Sequence, residues 1–174
     1  MVPSCSWSAG AGGDLERLRA MLGAVGAAYE NRGEVVAEVR TKIVPEATPE
    51  TQPFWDGCRD GVLMLQHCGP CGEAYFPPSP YCPRCLSDDV EWKAASGRGR
   101  LHTYLISHRP APGFEADVPY AIAVVELDEG PRMMSNIVGV PNTPEHLVLD
   151  MELRVTFEPR GDDMQVPVFE PAGP

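Results

Sequence analysis

Residues 66–86 read "QHCGPCGEAYFPPSPYCPRCL" and hold four of the chain's six cysteines in two pairs of equal spacing, Cys68 with Cys71 and Cys82 with Cys85. Two residues between thiolates let a tight turn aim both sulfurs at one point, and a second such turn completes a tetrahedron around a metal ion. A disulfide framework is the rival reading. It needs an export signal, and the opening "MVPSCSWSAGAGG" has neither a basic n-region nor an apolar h-region. Zinc and iron both accept four thiolates. The second knuckle, "CPRCL", lacks a glycine after its last cysteine, carries Arg84 and has no close aromatic shell, which tilts the reading toward zinc over an iron electron carrier. A closed four-ligand site leaves no position for water, so the zinc is expected to be structural. Cys5 and Cys58 have no partner at ligand spacing and receive no role.

Outward from the cysteines, the chain reads as mainly β. On the C-terminal side, five runs at 99–109, 119–127, 131–140, 151–159 and 164–171 are bounded by Gly, Pro and Asp clusters. A single helical turn from Thr143 or Pro144 separates the third from the fourth, and this order fits a five-stranded barrel of the OB type at 94–171. On the N-terminal side, Val62 to Leu65 forms a short strand that leads into the cysteines, giving a ribbon at 54–92. Residues 44–53, "VPEATPETQP", read as a stiff acidic linker. Leu15, Leu18, Met21, Leu22 and Val25 recur at helical spacing and predict an N-terminal helix over 14–28. Residues 35–42 alternate as a strand, and residues 1–13 read as a disordered lead.

Charge narrows the function. With 25 acidic against 14 basic residues the net charge is -11, which opposes binding to phosphate backbones and anionic membranes. No apolar run is long enough to span a bilayer, and the protein is read as soluble and cytoplasmic. Residues 93–109 form an exception, carrying Lys93, Arg98, Arg100 and Arg109 with no acid among them, while residues 110–174 hold 12 acids and 3 bases, a net of 3 - 12 = -9. Such a strip could grip the phosphates of a coenzyme. His102 and His108 fall on one strand face with no nucleophile beside them, His67 reads as an exposed knuckle residue, and no catalytic residue is assigned.

Three stretches carry a family likeness: "PFWDG" before the ribbon, "EW" followed by "SGRGRLHTY", and the "LDEG" turn, with the prolines between the cysteine pairs. Over residues 53–171 the chain resembles the acyl-CoA-associated family that joins a rubredoxin-like zinc ribbon to a C-terminal OB fold. The resemblance implies that Cys68, Cys71, Cys82 and Cys85 bind zinc. It also implies that the chain lacks chemistry of its own and works beside a thiolase-fold enzyme. That partner is either a thiolase-like aldolase acting on the CoA thioester of a steroid side chain, or a thiolase or synthase for which the module channels CoA. Some members follow a MaoC-like hydratase domain, and "NRGEVVA" (32–38) resembles the closing strand of such a hot-dog domain, so 14–43 is expected to be its end. In this role Phe54, Trp55, Tyr75 and Phe76 are nominated to meet the partner, and Arg98, Arg100, His102 and Arg109 to bind CoA. A zinc ribbon beside an OB barrel also suits single-stranded nucleic acid, with Tyr104 and Tyr120 as stacking platforms, a reading that the acidic composition disfavours.

Overall fold

The computed structural model describes residues 41–173. The expected lead at 1–13, the helix at 14–28 and all but the end of the strand at 35–42 lie outside the described residues, as does Cys5. One short helix, α1 (Gln52–Arg59), is followed by eight strands: β1 (Met64–Cys68), β2 (Ala74–Tyr75), β3 (Val90–Ala94), β4 (Arg98–Ser107), β5 (Tyr120–Leu127), β6 (Arg132–Asn136), β7 (Glu152–Arg160) and β8 (Met164–Pro171). They form a three-stranded sheet in the order β2-β1-β3 and a five-stranded sheet in the order β6-β5-β4-β7-β8, with antiparallel neighbours throughout.

The five-stranded sheet curls until its edges meet. Ile137 bridges Phe169, the Val138 N–H donates to the Phe169 carbonyl at 2.8 Å, and the Ser135 hydroxyl donates to the Pro167 carbonyl at 2.9 Å. Leu101, Val125, Met133, Ile137, Leu153 and Phe169 fill the interior, as the inward-facing members of alternating strands must. Residues 141–150 give one hydrogen-bonded turn, the Leu147 N–H donating to the Thr143 carbonyl at 3.0 Å, and the turn sinks Leu147 into the same core.

Two expectations are corrected. Residues 44–53 do not run as linker to their end, because α1 starts at Gln52. Pro53 suits the first turn of a helix, where an amide donor has no partner to lose. Phe54 and Cys58, four residues apart, share the buried face. Gly57 lets that face close on β1: a Cβ there would strike the Met64 side chain and lie 2.8 Å from the Val62 carbonyl. The second correction concerns His102 and His108. The β4–β5 register shifts between Leu101 and Thr103 and β4 ends at Ser107, so even spacing no longer puts the two rings on one strand face.

Candidate metal centre and the surfaces around it

β1 ends on Cys68, the first ligand of the first knuckle, and the two knuckles share one backbone scheme. The Gly72 N–H donates to the Cys68 carbonyl at 2.8 Å and the Leu86 N–H to the Cys82 carbonyl at 2.9 Å. Each turn closes with a left-handed residue after its second cysteine, Gly72 at φ 69° and Leu86 at φ 60°. Glycine adopts that conformation freely, whereas Leu86 carries a cost of roughly 1–2 kcal/mol.

All four sulfurs lie within 4.8 Å of one another, with Cys68 and Cys85 3.4 Å apart and Cys71 and Cys82 3.7 Å apart. Zn–S bonds of about 2.3 Å in a tetrahedron require sulfurs about 3.8 Å apart, so the cluster is of a size to hold one zinc ion. The amide N–H of Cys85, joined by that of Arg84, points at the Cys82 sulfur and, against the effect of burial, holds its thiol down at about 7. Burial pushes the Cys71 thiol up, which a bound cation would reverse. The loop between the knuckles is also fixed. The buried Gln66 side-chain carbonyl accepts the Ser79 N–H at 2.7 Å, the Tyr75 hydroxyl donates to the Ser79 carbonyl at 3.0 Å, and Arg84 pairs with Glu73 across the knuckles. Cys58, fully buried, has its thiol pushed up to about 12 by burial, and stands as a core side chain.

The nominated surface residues divide. Phe54 and Tyr75 are buried, Phe54 in the core shared by α1, β1 and the barrel and Tyr75 under the metal cluster. They serve packing and are withdrawn as partner contacts. Trp55 and Phe76 are half-buried and pack against Phe54 with ring centroids 4.9 and 5.4 Å away, each leaving part of its ring on the surface. Of the basic strip, Arg98 lies 3.9 Å from Asp128, Arg100 3.2 Å from Glu152 and His102 3.9 Å from Glu126. Antiparallel pairing brings the acids of β5, β7 and the turn at 128–129 beside the basic residues of β4, so the strip is matched by carboxylates. Sequence separation hid those neighbours. Arg109 is exposed beyond the end of β4. Tyr104 is half-buried and Tyr120 is 9% exposed with the Phe114 ring tilted over it, centroids 5.1 Å apart, which withdraws Tyr120 as a stacking platform for bases. Sequence reasoning missed the burial of Arg160, 8% exposed at the end of β7, and nothing in the local sequence signals it. No helix among the described residues is long and apolar enough to cross a membrane.

A four-cysteine ribbon is joined to a nearly closed five-stranded barrel. Residues 55–91 match the family described as "ChsH2, rubredoxin-like zinc ribbon domain" and residues 92–158 the family described as "ChsH2, C-terminal OB-fold domain". The chain belongs to this ChsH2/DUF35 family. It is 32% identical over 166 residues to a probable enoyl-CoA hydratase alpha subunit of Thermomonospora curvata, covering 83% of this chain and 51% of that protein. It is 36% identical over 105 residues to a DUF35 domain-containing scaffold protein of Methanocaldococcus jannaschii, covering 58% of this chain and 73% of that one. It is 32% identical over 114 residues to the 3-oxo-4,17-pregnadiene-20-carboxyl-CoA hydratase alpha subunit of Mycobacterium tuberculosis, covering 65% of this chain and 35% of the relative. Among solved structures, a chain of the Ltp2-ChsH2(DUF35) aldolase superposes with a TM-score of 0.66 at 31% identity, covering 75% of this chain and all of the other. The chain thus spans about half the length of the first of these relatives.

Proposed function

We propose that the chain is a non-catalytic accessory subunit or domain that binds and activates a thiolase-fold acyl-CoA aldolase, the catalytic residues lying on the partner. The observation that carries this reading is the likeness to the full length of a chain from an aldolase assembly. The chemistry of the site agrees: a four-thiolate zinc centre holds structure and offers no open coordination position. The substrate is a steroid side-chain CoA thioester cleaved by retro-aldol chemistry, a reading supported by the steroid named for the mycobacterial relative. Residues 14–43 are the end of a MaoC-like hot-dog domain, a reading supported by the two hydratase subunits, both longer than this chain. Trp55 and Phe76 contribute apolar contact to the partner. Arg98 and Arg100 receive CoA phosphates by exchanging their present carboxylates for them, and Arg109 approaches without such an exchange.

The test is co-expression with a thiolase-fold aldolase, followed by co-purification and an assay of carbon-carbon cleavage with and without this chain. A near-equimolar complex with cleavage dependent on the chain is expected. An aldolase that neither binds nor changes rate overturns the reading. A second reading, a CoA-channelling scaffold for a thiolase or synthase, is favoured by the archaeal relative's description as a scaffold protein, and capture of such an enzyme in place of an aldolase would select it.

A further inference from the structure

Beneath α1 the seam between β6 and β8 opens into a groove of ≈390 Å³, walled by Trp55 and Phe76 on one side and by Met134, Val166 and Pro167 on the other. No continuous ladder joins β6 to β8: the seam is held by the Ser135 hydroxyl on the Pro167 carbonyl and, just past β6, by the Ile137–Phe169 bridge and the Val138 N–H on the Phe169 carbonyl. Arg160 lines this groove and a second one of ≈320 Å³, which it shares with Ile43, Pro45 and Phe114.

Arg160 differs from the other cations around it. Lys42 lies 4.5 Å above the Phe114 ring and has a counter-ion, Asp117, at 2.6 Å. The Arg160 guanidinium lies 5.7 Å from the same ring, yet among the described residues it has neither a carboxylate within ion-pairing distance nor a side-chain hydrogen bond. It is 8% exposed. A cation with no carboxylate beside it gains from an incoming anion, and an aromatic face supplies only a small part of that gain. Arg160 therefore gives the groove a point of attraction for an anion beside walls that suit an apolar body. Its volume is within the range of small-molecule sites, about 300–1,000 Å³.

We infer that the groove binds a small amphiphilic carboxylate, its apolar body along Trp55, Phe76 and Met134 and its carboxylate on the Arg160 guanidinium, whose planar fork suits two-point binding of a carboxylate. The groove shares Trp55 and Phe76 with the proposed partner contact, but its test needs no partner enzyme, so decanoate binding and partner capture can fail separately. Decanoate and decanol, which share an apolar body and differ in charge, are titrated into the zinc-loaded full chain, and binding is read from tryptophan fluorescence with Trp55→Phe as the control for location. Decanoate is expected to bind about tenfold or more tighter than decanol, in line with a charge-assisted contact. Arg160→Met removes that preference. Met134→Glu, on the apolar wall that both probes share, weakens both, which keeps the location testable should the Arg160 variant fold poorly; unchanged binding of both probes would overturn the inference. Equal affinities for the two probes, or a preference that survives Arg160→Met, would overturn the inference. So would failure of decanoate to bind, whether because residues before Thr41 supply the carboxylate or because a protein partner does, the latter marked by loss of the co-purifying enzyme in Arg160→Met.

Discussion

Replacing Phe54 with alanine tests whether the ribbon and the barrel stand on one core. Phe54 is 4% exposed, edge-on to Trp55 and tilted against Phe76, and it belongs to the same buried cluster as Leu63 and Leu65 of the ribbon and Leu101, Val125 and Phe169 of the barrel. Removing the ring forfeits about 1.5–3 kcal/mol of transfer free energy, and the cavity it leaves raises the usual cost to about 3–5 kcal/mol. Gly57 already sits against Met64 and Val62, so α1 has little room to settle into the space, and the upper half of that range is expected. With a urea dependence of about 2 kcal/mol per molar, a loss of about 4 kcal/mol moves the midpoint down by about 2 M. Urea unfolding of the zinc-loaded protein, followed by circular dichroism and by tryptophan fluorescence, reads the shift. Coincident curves are expected from both probes before and after the substitution. A shift below about 0.5 M, or separate transitions for ribbon and barrel, would refute the shared core.

The other predictions concern the metal and the strip. Purified protein should carry one zinc per chain, and Cys82→Ala should lose it and unfold the ribbon; stoichiometric zinc in that variant would sink the four-ligand assignment. Zinc binding releases the proton of every ligating thiol that carries one, so zinc affinity measured by chelator competition should fall as the pH is lowered, and affinity independent of pH would contradict a four-thiolate site. Leu86→Gly should relieve the left-handed backbone by roughly 1–2 kcal/mol and give back about 0.5–1 kcal/mol in chain entropy. The net gain corresponds to a melting temperature about 1–4 °C higher, and a lower one would refute the strain. Reversing Arg98 and Arg100 to Glu should change stability by less than about 1 kcal/mol, since both pairs are solvent-exposed, while weakening acyl-CoA binding to the complex; unchanged binding removes them from the site.

Local rules reached the metal and the strands. Four ligands within 18 residues are held by two short turns, so spacing alone stated their geometry, and strands bounded by Gly and Pro announced themselves within a residue or two of β4, β5, β7 and β8. What escaped was set by pairing between distant segments. Tyr75 resembles a surface aromatic until the return of the second knuckle covers it, and Phe54 until α1 folds onto the barrel. The strip over 93–109 reads as a run of unopposed cations only along the chain, because Glu152 reaches Arg100 across a separation of 52 residues. Helix α1 was obscured by a proline that usually ends regular structure but here stands at its beginning.

The two knuckles show how the metal changes what a sequence can tolerate. Both turns require a left-handed residue after the second cysteine, and only the first supplies glycine. In the second, Leu86 holds the same conformation with its side chain 76% exposed, so packing returns little of the backbone cost. Structural zinc contributes on the order of 10–16 kcal/mol in small ribbons, far more than the roughly 1–2 kcal/mol stored at Leu86. Zinc binding therefore offsets the strain with a wide margin. Stripping zinc should accordingly open the knuckle at 82–86 before the one at 68–72, and hydrogen exchange during chelation would read that order directly. Simultaneous loss of protection in both knuckles would mean that the metal holds them as one unit and that Leu86 has no separate weight.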